Sequence, residues 1–79
     1  MQTYSADVLT RARLELSAGV CAIMRADRAT LSAYFGDYSG DYSGESLTGK
    51  TDEEIRALCL DFVREECFSF GIHCADIGL

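Results

Sequence analysis

The sequence predicts an all-α protein: a small bundle of two long helices and one short helix, with an acidic loop rich in glycine, tyrosine and aspartate. Three observations predict it. Apolar residues recur at helical spacing in two long stretches. A residue able to cap stands at the head of each candidate helix: Ser5, Asp27 and Thr51. Four glycines fall within residues 36–49, where they oppose any helix. The 79-residue chain is expected to form a single domain, 1–79, and 48% of it is apolar, as in ordinary globular proteins. A chain this short buries only about 60% of its unfolded surface, so its stability is marginal.

The first long helix is expected from Ser5 to about Ala26. Asp7 lies in its first turn, where a negative charge suits the helix dipole. Val8, Ala12, Leu16, Val20, Ile23 and Met24 follow a helical period. Leu14-Glu15-Leu16 alternates, so Arg13 to Leu16 would also fit a short strand. Gly19 interrupts the pattern at a cost of about 1 kcal/mol relative to alanine, and suggests a kink or a close helix contact. Asp27 then caps a short helix from Arg28 to Phe35, which Gly36 is expected to end.

Residues 36–49 contain Asp-Tyr-Ser-Gly twice in tandem, at 37–40 and 41–44, and are expected to be a loop or a tight irregular hairpin. Thr51-Asp52-Glu53-Glu54 is the clearest local signal. Thr51 can cap the free amides while Glu54 reaches back to the Thr51 amide, and the three acids suit the positive end of the dipole. Ile55, Leu58, Cys59, Phe62, Val63 and Phe70 form an apolar stripe, with Arg56, Asp61, Arg64 and Glu65 opposite. This second long helix should end near Gly71. The apolar tail, residues 72–79, is expected to fold back on the core. The long helices would pack as an antiparallel hairpin, with the short helix and the tail covering one open side.

Charge separates the halves. The net charge is −6. Residues 1–35 carry a net of +1 and residues 36–79 a net of −7. An acidic half repels nucleic acid and anionic membrane and attracts basic surfaces. Direct binding of nucleic acid needs a clustered basic patch that is not visible here. No signal peptide and no membrane span is visible, and the expected location is the cytoplasm of a host cell.

Four cysteines and one histidine test the chain for metal or thiol chemistry. Cys59, Cys67, His73 and Cys74 have poor zinc spacing. Cys59 and Cys67 are two helical turns, roughly 12 Å, apart, whereas zinc holds each sulfur at about 2.3 Å. Buried or half-buried free thiols are expected, with a Cys67–Cys74 bridge across the helix end as the alternative. No third group is seen to orient a Cys–His pair, so no enzyme is expected. Asp37, Ser39, Asp41, Ser43 and Glu45 alternate like a calcium loop, but Tyr42 replaces its glycine and Thr48 its last glutamate. No cofactor or metal is expected.

The same loop suits a contact surface. Tyrosine offers a large rigid contact, and serine and glycine adapt around it. Tyr38 and Tyr42, each beside an aspartate, would suit an arginine-rich partner. A solvated linker whose tyrosines tuck into the core is the other reading of these residues. The expected partner-binding set is Asp37, Tyr38, Asp41, Tyr42, Glu45, Asp52, Glu53 and Glu54. On those residues the chain resembles, in general character, the anti-CRISPR proteins, small acidic proteins that bacteriophages use against host defences. The resemblance covers about a quarter of the sequence, rests on no aligned motif, and says nothing about fold. It implies a stoichiometric inhibitor that docks on the basic nucleic-acid channel of a CRISPR effector complex and blocks DNA. The alternative is a small helical regulator or adaptor that acts by dimerisation or by gripping a partner helix. The expected state is a monomer or homodimer.

Overall fold

The computed structural model describes residues 4–79. It is all-helical among them, with α1 (Ala6–Arg25), α2 (Arg28–Ser39) and α3 (Asp52–Phe70), and with short 3-10 turns at Glu45–Leu47 and Cys74–Ile77. The expected fold class is therefore the observed one.

α1 runs unbroken through Arg13 to Leu16, so the strand alternative falls. The Ser5 hydroxyl accepts from the Val8 amide, as a cap should. Ala12, Leu16, Val20 and Ile23 supply the buried stripe. Val8 and Met24, which share the period, stay exposed at its edges. Gly19 marks no close helix contact: a Cβ there would meet nothing within 4 Å.

α2 begins at the Asp27 cap, whose carboxylate accepts from the Thr30 amide at 2.9 Å. It does not end at Gly36, as expected, but continues to Ser39. Gly40 takes the left-handed conformation instead, with φ 79°, and its amide returns to the Gly36 carbonyl. The reason lies six residues beyond Gly36. The ring of Tyr42 lies on it, and a Cβ at Gly36 would sit 2.6 Å from Tyr42 Cδ1. Glycine is used here for the missing side chain rather than for a turn. Residues 36–39 are therefore helix, and the loop is shorter than expected. Leu47, in the 3-10 turn, is buried and pins that loop to the core.

α3 starts with the full capping box: the Glu54 amide donates to the Thr51 hydroxyl, and the Thr51 amide to the Glu54 carboxylate. Ile55, Cys59, Val63 and Cys67 are its buried line. Gly71 ends it in the left-handed conformation, and the Ile72 amide donates to the Cys67 carbonyl. This reversal lets the tail fold back as expected. Ile72 and Ile77 are buried, and the Cys74–Ile77 turn packs against α1.

α3 is the shared partner: α1 and α2 both pack on it and touch each other little. The two long helices pack together and the tail lies against α1, while α2 lies chiefly on α3. The result is a slab of 41 × 24 × 14 Å. Arg56 explains how the α1–α2 corner is held. Its side chain, only 14% exposed, donates to the carbonyls of Ile23 and Ala26 at the end of α1. The Ile23 carbonyl also accepts from the Ala26 cap amide at 3.3 Å, and a cation suits that end of the dipole. The pattern placed Arg56 on the polar face, but its length lets the guanidinium reach the corner. Arg28 completes the joint with an ion pair to Asp52 at 2.9 Å.

Candidate functional site

The tandem repeat folds into an ordered platform. Its two copies adopt different structures: residues 37–40 finish α2 and residues 41–44 begin the loop. Each aspartate is held by neutral donors. Asp37 accepts from the Tyr42 hydroxyl at 2.8 Å. Asp41 accepts from the Ser43 amide and from the hydroxyls of Ser43 and Ser46. Each serine in turn accepts from an amide two residues on, Ser39 from Asp41 and Ser43 from Glu45. These are the side-chain turns that Asp and Ser form when no helix competes.

Charge survives on this platform. Among the described residues, Asp37, Asp41 and Glu45 form no ion pair. Hydrogen bonds from Ser43, then Ser46, hold the Asp41 carboxyl below its ordinary value. The hydrogen bond to Asp37 pushes the Tyr42 phenol up. Tyr42 remains 73% exposed between these carboxylates.

The other expected contact residues are differently engaged. Asp52 pairs with Arg28 and Glu53 with Arg56, so part of their charge is compensated. Glu54 closes the capping box, and the Thr51 amide holds its carboxyl below the ordinary range. Tyr38 stacks on Phe62, with ring centroids 5.6 Å apart, and keeps 36% of its surface exposed. Burial, then the charge of Glu66, pushes its phenol up. Neither tyrosine joins the core cluster: Tyr38 lies against Phe62 at the surface and Tyr42 faces out.

Tyr38 also lines a groove that periodicity did not indicate. It runs between α1 and α3, with about 260 Å³ at the end near Val8 and Phe70 and about 210 Å³ at the end near Gly19 and Tyr38. Ala12, Glu15 and Phe70 border both ends. The signal for it was Gly19, an unexplained glycine inside a helix.

The thiols lie elsewhere. All four cysteines are free, with Cys21 exposed and Cys59 and Cys67 buried. Burial pushes the thiols of Cys59 and Cys67 up, which disfavours the nucleophilic thiolate. Among the described residues, no group of three or more His, Cys, Asp or Glu is placed to hold a metal ion. Nor is any helix among them long and apolar enough to cross a membrane.

No family model matches the sequence, and no curated protein or solved structure is significantly similar to it.

Proposed function

We propose that this chain is a non-enzymatic, stoichiometric inhibitor. It occupies a basic surface of a nucleic-acid-binding complex, a CRISPR effector by the resemblance, and so keeps DNA away. The observation that carries this reading is the platform: Asp37, Asp41 and Glu45, without cationic partners among the described residues, around the exposed ring of Tyr42. Complementary charge speeds encounter and selects a basic partner. Hydrogen bonds already order the loop, so binding loses less conformational entropy than it would with a free linker. Asp52, Glu53 and Glu54 extend the acidic surface at the head of α3.

The test is a titration of purified CRISPR effector complexes with this protein while DNA binding is followed by fluorescence anisotropy. Inhibition should saturate at a fixed stoichiometry. It should weaken with added salt and with Asp37→Lys, Asp41→Lys and Glu45→Lys combined. If no effector loses DNA, or the reversed variant inhibits as well, the reading fails.

A second reading, a helical regulator acting by self-association or on a partner helix, is supported by apolar side chains on the surface of α1. Leu14 is 68% exposed and Met24 57%. The self-associating form requires a dimer that survives high salt, which sedimentation equilibrium reads directly.

A further inference from the structure

We infer that the α1–α3 groove is a docking site for an amphipathic helix of a partner protein, one with lysine or arginine on both flanks of an apolar stripe. This surface is separate from the platform of Asp37, Asp41 and Glu45, and the inference does not rest on the inhibitor reading.

Three observations converge on the groove. Its floor carries apolar side chains, from Val8 and Phe70 at one end to the ring of Tyr38 at the other, with Asp7 and Arg11 also lining the Val8 end. Each bank contributes a carboxylate, Glu15 from α1 and Glu66 from α3, and neither forms an ion pair among the described residues. Gly19 lines the Tyr38 end, and a Cβ there would meet nothing within 4 Å. Glycine inside a helix lowers its stability. No neighbouring backbone requires it here, so its effect is to leave the groove open.

The occupant follows from this chemistry. Both banks are helices, whose backbone groups are already paired and cannot recruit an extended strand. A helical ligand satisfies its own backbone and needs only an apolar stripe for the floor. At the Tyr38 end, which Arg11 does not line, the carboxylates of Glu15 and Glu66 on the two banks select cations on both flanks of that stripe.

The probe is a fluorescein-labelled synthetic amphipathic peptide with leucine on one stripe and lysine on both flanks, read by anisotropy. It should bind saturably. Gly19→Leu should weaken binding roughly tenfold or more, about 1.4 kcal/mol, while the variant melts no lower than the wild type. Glu15→Lys with Glu66→Lys should weaken it similarly. The Asp37, Asp41 and Glu45 reversal should leave peptide binding intact even where it abolishes inhibition of an effector, so the two readings fail separately. Peptide affinity unchanged by Gly19→Leu would overturn the groove site. So would equal loss in the platform reversal, which would mean general attraction to an acidic protein. A wild-type dimer dissolved by Gly19→Leu, with no peptide bound, would make a second copy the occupant and overturn the proposed partner.

Discussion

At Gly36 one absent side chain seats a ring from the loop that follows the helix. The Tyr42 ring occupies the space of a Cβ, and its hydroxyl donates to Asp37, which lies one residue beyond Gly36 on the same helix. Gly36→Ala would improve helix propensity by about 1 kcal/mol but drive the ring off its seat. The hydrogen bond to Asp37 would go with it. That bond holds the phenol above its ordinary value of 10.0, so it favours the neutral form in the fold. The sign follows: its contribution to stability is fully present below the unfolded value and is lost as pH rises through the higher folded value. Tyrosinate absorbance followed on alkaline titration should therefore show late ionisation of Tyr42. Tyr42→Phe should delete that component, and Gly36→Ala should bring it earlier. A Gly36→Ala curve identical to the wild type would mean that the ring does not need the glycine. Gly36 also shows a limit of reading from sequence. Its helical role depends on a residue beyond the helix, which local propensity does not contain.

Among the elements, the helix starts were the most legible because a cap acts across only three residues. Asp27 and Thr51 were assignable from their neighbours alone, and both caps form. The end of α2 and the reach of Arg56 were not, since each is decided by a distant segment. Thr51→Ala should lower stability by about 1 kcal/mol, and the melting temperature by roughly 4–8 °C in a domain of this size. The caps also set an acid limit. Donation from the Thr30 amide lowers the Asp27 carboxyl below 3.8, and donation from the Thr51 amide lowers Glu54 below 4.5. A depressed carboxyl stabilises the fold above its unfolded value, and that contribution is lost as pH falls through the folded value. Melting temperature should therefore decline as pH drops below about 4. The combined Asp27→Asn and Glu54→Gln variant should start lower at neutral pH and decline less. An acid limb equally steep in that variant would place the acid sensitivity in other carboxyls.

Across the whole molecule, the acidic half and the apolar core serve different ends. The platform residues were legible because the repeat is conspicuous and its charges lie outside. The groove was not, because Glu15 and Glu66 are brought together only by the packing of α1 on α3. Packing also draws the described elements onto one core. The core cluster takes buried residues from α1, α2, α3, the loop and the tail, and its buried members are all apolar. Cys59 and Cys67 sit at opposite parts of it. The Cys59 thiol points at the Leu31 carbonyl of α2, at 3.6 Å, whereas the Cys67 carbonyl accepts from the Ile72 amide of the tail at 2.8 Å. Both are fully buried, and the fold disfavours both thiolates, so alkylation must proceed through opening. Exposed Cys21 should react in the native protein. Cys59 and Cys67 should then become alkylated with the same opening free energy and the same dependence on denaturant, because neither can be reached without losing the shared core. Mass-resolved alkylation along a urea series measures both. If Cys67 reacted earlier and with a shallower dependence, the tail would open by itself, and α1 would then depend on α3 alone for its place in the slab.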